Sequence, residues 1–282
     1  MTIETVERML PLYEAKMIHL YDHRWATYEG EKNARLLDPD EKRDPTFAPS
    51  PRYWVREELV SDRLGETEHH PRLLGWRDIC RNTDARTMVD AQFPIAAVGH
   101  TMPLALTNSS SLLLQAVWSS FAFDYVARQK VGGTHMTYGY LTQIATIDPS
   151  VFSNPCPWAI GQFADWITSR VATLSCTSWS MAPMAKELTG RAQVVEWNPD
   201  HRALIRAELD AAMFHLYGIA RDDVDYIMET FPIVKEHDIE EHGEYRTKRL
   251  ILENFDAMNR AIAGEEPFRS AAEPFLLRSA DQ

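Results

Sequence analysis

Cysteine is scarce in this chain. Cys80, Cys156 and Cys176 are the three present, far apart and odd in number. They have no metal-ligand spacing and cannot form a disulfide framework, so they read as reduced thiols. Long hydrophobic runs are missing as well. The most apolar stretch, Leu112 to Ala122, is interrupted by Gln115, Ser119 and Ser120. It falls short of the roughly 20 apolar residues that span a bilayer. Met1 to Leu10 holds acids and no apolar segment, unlike a signal peptide. A cytoplasmic chain with no membrane partner is therefore expected. Positive charge is also short, with 29 Lys and Arg against 41 Asp and Glu, a net charge of −12. That argues against indiscriminate nucleic-acid binding by the chain as a whole, because phosphate neutralisation is the main source of such affinity. The familiar catalytic signatures are absent: no Gly-x-Ser-x-Gly, no phosphate-cradling glycine loop, no His-Glu-x-x-His. There is no internal repeat.

What is present is an ordinary globular composition, 45% hydrophobic and 25% charged over 282 residues. That length suffices for one large or two small domains. Charge is unevenly placed. Residues 1–90 carry −4, residues 91–190 are neutral, and residues 191–282 carry −8. The acidic last third is expected to face solvent or a basic partner.

Periodicity and turn residues predict a mixed α+β fold: a small sheet around a buried helix, then a helical C-terminal extension. The expected divisions are 1–190, 191–264 and a flexible tail over 265–282. Met9 to Tyr28 reads as a short strand or helical turn packed by Met17, Ile18 and Trp25. The charged, proline-rich segment 31–51 reads as an exposed loop. Tyr53 opens an ordered segment, and Arg72 to Ile79 alternates like a strand. Phe93 to Val98 reads as a strand with Pro94 at an edge or bulge. Asn108 or Ser109 is expected to cap one long helix to about Lys130, with Leu113, Val117, Phe121 and Tyr125 at fourfold spacing and Gly132-Gly133 as its stop. Tyr138 to Ile147 reads as a strand or short helix and Phe152 to Pro157 as a loop. Trp158 to Thr173 and Trp179 to Leu188 read as helices. Further helices are expected over Arg202 to Tyr217, from Asp222 to Phe231-Pro232, and over Tyr245 to Ala263 with Leu250, Ile251, Phe255, Met258 and Ile262 inward.

Few side chains suggest chemistry. His69-His70 is a doublet on a charged loop whose rings point apart. His19 and His23, beside Asp22 and Arg24, lie four apart with no third ligand, which favours packing over metal binding. Asn154-Pro155-Cys156-Pro157-Trp158 is a near match to the Asn-Pro-Pro-aromatic motif that holds a flipped base. A cysteine interrupts it and no cofactor loop precedes it. The basic run Arg246-Thr247-Lys248-Arg249 is either a solvated first helical turn paired with Glu240, Glu241 and Glu244, or a phosphate contact. Arg77 and Arg81 flank a strand end.

The most informative segment is Phe123 to Tyr138. Arg128, Lys130, Gly132, Gly133, Thr134, His135 and Tyr138 follow the apolar helix within a few positions. Glycines permit close backbone approach, Lys130 and exposed amides can hold phosphate, and Thr134 and His135 can reach base edges. The same residues also describe a plain helix terminus.

Taken in order, several segments resemble a known family. Pro11-Leu12-Tyr13-Glu14-Ala15-Lys16-Met17 and Tyr21-Asp22-His23-Arg24-Trp25 are similar to the region that follows the catalytic core in type IIG-like adenine-specific DNA methyltransferases, including those of BREX and DISARM phage-defence systems. Arg77-Asp78-Ile79, Pro94 to Pro103 and Phe123 to Tyr138 resemble the blocks of their target recognition domain. Glu208 to Gly218, Asp225 to Pro232 and Gly243 to Leu250 resemble their helical C-terminus. The resemblance covers about residues 9–262.

It implies a DNA-recognition region of a restriction-modification or phage-defence methyltransferase, not catalytic by itself. The chain would partner double-stranded DNA and a methyltransferase core domain or subunit. No cofactor is expected here; S-adenosylmethionine would bind the core. The implied DNA-contact candidates are Arg128, Lys130, Gly132, Gly133, Thr134, His135, Tyr138, Arg77, Arg81, Arg246, Lys248 and Arg249. Two other readings stay open: an acidic helical adaptor, or a small enzyme using His19, His23 or the Asn154 segment.

Overall fold

The computed structural model describes residues 7–30, 33–65, 71–107 and 110–278. Within them the fold is α+β, as the patterning predicts: three small sheets and a large helical layer. His69-His70 and the proposed caps Asn108 and Ser109 lie outside the described residues.

Strand β1 (Met9–Tyr13) is the middle of a sheet with β4 (Trp54–Arg56) and β7 (Ala97–Val98). β4 pairs antiparallel with Met9 to Pro11, and β7 pairs parallel with Leu12 and Tyr13. The two partners lie on opposite edges of β1 and cover different halves of it, and on the β4 side the Leu12 N–H still donates to the Tyr53 carbonyl. β2 (Ala26–Glu29) and β3 (Asn33–Leu36) form a hairpin. β5 (Arg72–Trp76) lies between β6 (Asp90–Pro94) and β8 (Leu104–Ala105). β5 is buried throughout. Gly75 is needed there: a Cβ would meet Phe93 at 3.0 Å and the Pro103 carbonyl at 3.1 Å. Pro94 ends β6 at the last register pair, opposite Arg72.

Within segment 31–51, the described residues 33–51 are not simply an exposed loop. Asp38 caps α1 (Pro39–Arg43), accepting from the N–H groups of Asp40 and Glu41, while Glu41 reaches back to the Asp38 N–H. Lys42 is buried, with Nζ 2.5 Å from Asp22 Oδ2 and over the rings of Trp25 and Trp197. Arg24 donates to the carbonyls of Lys42, Asp44, Phe47 and Thr177, fastening the segment to the body. Helix α2 (Glu57–Leu64) follows β4.

The single long helix expected before Lys130 is two helices, α3 (Ser111–Trp118) and α4 (Phe121–Lys130). Serine hydroxyls break it by competing for local hydrogen bonds. Ser119 Oγ donates to Asp90, and Ser120 Oγ accepts from the Phe123 N–H as the cap of α4. α5 (Tyr138–Leu141) is one turn. α6 (Phe163–Ser175) begins later than Trp158, because Gly161 turns at φ +99° and Gln162 with Asp165 forms the capping box. α7 (Ala182–Thr189) and α8 (Pro199–Leu216) follow, and Gly218 turns the chain at φ +67°. α9 (Arg221–Glu229) carries Asp222 and Asp223 in its first turn, as expected. Pro232 starts a further helix, α10 (Pro232–His242), where a plain stop was expected. α10 buries no residue, so it carries no apolar stripe to reveal it. α11 (Arg246–Ile262) buries Leu250, Ile251, Phe255 and Met258, but Ile262 is half exposed at its end.

One hydrophobic core runs from Leu20 through β5 and α3 to α11 and on to Leu277, crossing residue 190 without a break. A second core fills the space around β1, α2 and the other face of β5 and β6. Residues 265–278 are docked, contrary to the expected flexible tail. Ser270 and the Ala272 N–H donate to Glu208, the Leu277 N–H donates to Thr173, and Phe275 stacks on His201.

Candidate nucleic-acid interface

α4 is fixed from inside. Asp124 is fully buried and 2.5 Å from Arg86 Nε, and it accepts the Thr87 N–H. Arg86 also donates to the Ser119 carbonyl and lies over Phe121. Near the helix end, Arg128 donates to the carbonyls of Thr230, Asp84 and Ala85 and lies over Phe231, 3.9 Å from its ring centroid. Burial lowers its pKa below the ordinary arginine value. Arg128 is thus a staple between α4, the turn before β6 and the end of α9.

The helix stops at Lys130 because Val131 adopts an extended conformation (φ −76°, ψ 100°) and buries its side chain. Gly132 and Gly133 are not the stop. Neither has a positive φ, and nothing lies within 4 Å of a Cβ added at either position. They leave the backbone bare and open to solvent.

The residues after them are held on both sides. The Cys80 N–H donates to the Thr134 carbonyl at 3.0 Å, and the Met136 N–H donates to the Asp78 carbonyl at 2.6 Å. His135 pairs antiparallel with Ile79. Trp76 donates its indole N–H to the Met136 carbonyl from beneath. Tyr138 packs against the Trp76 ring at 4.9 Å and donates to the Leu104 carbonyl. Cys80, next to this bridge, is buried, and burial pushes its thiol up to about 11, away from nucleophilic use. His135 Nδ1 lies 2.6 Å from Asp78 Oδ2. The His135 side chain is 52% exposed and that of Asp78 16%.

Arg81 and Lys130 both lie toward the Gly133 end of this pairing, and both are exposed. Among the described residues neither side chain has a hydrogen-bond or ion-pair partner. The other basic candidates are engaged. Arg77 donates to the carbonyls of Ala15 and Ile18, and burial lowers its pKa to about 10. Arg246 pairs with Asp200, Lys248 with Asp225 and Glu229, and Arg249 with Glu244 and Glu253. Of the acids expected to neutralise this run, Glu244 does so; Glu253 lies one turn along the same helix, and Asp200, Asp225 and Glu229 are brought in from elsewhere by folding.

The two alternative sites are packed. His19 stacks on Trp25, and His23 Nε2 bonds the hydroxyls of Ser178 and Ser180. Burial lowers both rings to about 3. Asn154 to Gln162 folds as a tight loop in which the Cys156 N–H donates to the Gly161 carbonyl. Trp158 is buried against Phe163, Trp166 and His215, unavailable to stack a flipped base. Among the described residues no group of three His, Cys, Asp or Glu is placed to hold a metal.

The support of the loop was not visible in the sequence. Asp78, Arg86, Asp124 and Trp76 carry it, and only folding joins residues 76–90 to 118–138. Comparison of the chain with protein-family models, with curated proteins and with solved structures finds no match.

Proposed function

We propose that the chain is the DNA-recognition region of an adenine-specific DNA methyltransferase of a restriction-modification or phage-defence system, and that it is not catalytic by itself. One observation carries this reading: a bare glycine loop, pinned by backbone pairing to residues 78–80, exposes Thr134 and His135 with two unpaired cations, Arg81 and Lys130, toward its Gly133 end. Rigid display of polar side chains suits base-edge contact, and neighbouring exposed cations suit phosphate. The contact set is Arg81, Lys130, Gly132, Gly133, Thr134, His135 and Tyr138. Arg77, Arg128, Arg246, Lys248 and Arg249 serve the fold. With a net charge of −12, affinity must be local, and a methyltransferase core supplies further phosphate contact. S-adenosylmethionine belongs to that core, and no residue of this chain is assigned to it.

The test is duplex binding by the chain with its methyltransferase core, followed by fluorescence anisotropy. Lys130→Ala weakens binding to all sequences, whereas His135→Ala changes which sequence is preferred. Unchanged affinity and unchanged preference in both variants refute the loop assignment. Incubation of the isolated chain with labelled S-adenosylmethionine and DNA leaves the DNA unlabelled; transfer above background refutes the non-catalytic role. If the chain joins the core but the complex gains no DNA affinity from it, the acidic adaptor reading takes its place.

A further inference from the structure

The Asp78–His135 contact sets which hydrogen-bonding face the imidazole shows to solvent. An ionised carboxylate offers only acceptors, so the ring nitrogen 2.6 Å from Asp78 Oδ2 is the one carrying hydrogen. A neutral imidazole has one donor and one acceptor nitrogen. With Nδ1–H directed at Asp78, Nε2 is left as an acceptor. The ring belongs to the exposed side chain, while the carboxylate is mostly covered. Neither partner is free to drift. The Asp78 N–H donates to the Thr101 carbonyl at 2.9 Å, its carbonyl accepts the Met136 N–H, and His135 is bridged to Ile79.

We propose that Asp78 is a positioning residue that locks His135 with Nε2 outward as an acceptor, so that His135 reads a base bearing an exocyclic amino group in the major groove, adenine through N6 or cytosine through N4. This rests on the DNA-recognition reading. The major groove distinguishes these two bases by their amino donors, while guanine presents only acceptors there and thymine an acceptor and a methyl group. An outward acceptor therefore rejects guanine and thymine at that position, since acceptor would face acceptor. Lys130, two residues before the glycines, has no part in this choice and contacts phosphate in every sequence.

Two measurements test the proposal. The first needs no DNA. Long-range ¹H–¹⁵N correlation spectra of the full chain at pH 8, with His135 assigned by its disappearance in His135→Gln, are expected to show the Nδ1–H tautomer. Asp78→Ala shifts the ring toward Nε2–H, and Asp78→Asn, whose side-chain oxygen still accepts, retains Nδ1–H. An Nε2–H or doubly protonated ring in the wild type overturns the proposal. The second uses the complex with the methyltransferase core and duplexes in which purine replaces adenine, or a des-amino pyrimidine replaces cytosine, one position at a time. Loss of one paired donor is expected to lower wild-type affinity about tenfold at a single position. Asp78→Ala and His135→Ala lose that discrimination, Asp78→Asn keeps most of it, and Lys130→Ala keeps it all at lower affinity. Full discrimination in Asp78→Ala overturns the proposal alone. Absence of any DNA binding by the wild type overturns the recognition reading and this proposal together, whatever the tautomer.

Discussion

Two basic clusters in this chain look alike on paper and differ in the fold. At the start of α11, Arg246, Lys248 and Arg249 sit in a helical turn ringed by acids, and each is held by one or two carboxylates. Around the 131–138 loop, Arg81 and Lys130 stand exposed, while the charges that fix the loop, Arg86, Asp124 and Arg128, are paired or bonded inside. The first region uses positive charge to neutralise an acidic helical layer that would otherwise repel itself. The second buries the charges that support the loop and leaves two cations exposed. Cations count toward nucleic-acid affinity only when no carboxylate of the same chain already holds them.

The sharpest way to break this comparison is to remove the internal support of the loop. Asp124→Ala leaves Arg86 buried beside the Phe121 ring without its counter-ion. Losing one partner of a buried pair costs about 3–5 kcal/mol. Urea unfolding followed by circular dichroism is expected to show a loss of that order, with DNA binding lost as the loop loses its platform. A loss below about 1 kcal/mol would mean that α4 does not depend on the pair.

Acid–base titration of stability sharpens the contrast between buried and surface charge. Burial raises Asp90 to about 8 despite the Ser119 hydroxyl beside it. Its folded pKa lies above its unfolded one, so its contribution is complete below pH 4 and is lost as pH rises toward 8. His23 behaves in the opposite sense. Its folded pKa, about 3, lies below the unfolded value, so the folded state weakens as pH falls from about 6.5 toward 3. Asp90→Asn is expected to gain stability relative to wild type by about 1 kcal/mol or more between pH 5 and 8.5. A constant gap between the two thermal melting curves across that range would show that Asp90 is already ionised at pH 5.

The parts of the molecule legible in the sequence are those governed by local rules. Apolar spacing marked α8 and α11, glycine marked the turn at Gly218, and Asp222 and Asp223 marked the start of α9. Serine was harder: Ser119 and Ser120 split a helix because Asp90, some 30 positions earlier, comes within bonding distance only in the fold. α10 lacks an apolar face, so no periodicity announced it. Segment 31–51 looked solvated because its prolines and charges dominate the composition, yet Lys42 and Arg24 bind within the protein. The candidate loop was legible as a composition of glycine, threonine, histidine and lysine. Its rigidity was not, because Asp78, Trp76 and Arg86 reach it through long-range pairing. Separating Lys130 from Lys248 was equally out of reach, since Asp225 and Glu229 approach Lys248 from another helix.

Substitution of the free cations tests the exposed side of the comparison. Each of Arg81→Ala and Lys130→Ala should leave folding stability within about 0.5 kcal/mol, as expected of exposed side chains without partners. Each should lower the slope of log affinity against log salt by about one, the signature of one lost phosphate contact. An unchanged slope in both variants would remove these residues from the interface.

The smallest effect is expected at α11, and it decides whether the two clusters truly differ. Lys248 Nζ lies 2.9 Å from Asp225 and 2.6 Å from Glu229, two acids four residues apart on α9. Lys248→Ala removes the cation that offsets this like-charge pair, whose repulsion amounts to a few tenths of a kcal/mol. With the modest worth of surface pairs, the total loss of stability should stay near or below about 1 kcal/mol and shrink as salt rises. DNA affinity and its salt slope should not move, because Lys248 is already occupied by carboxylates. If Lys248→Ala weakens DNA binding as much as Lys130→Ala does, its bonds to α9 exchange for phosphate in the complex. The acidic layer would then be part of the interface, and pairing within the free chain would no longer separate the two regions.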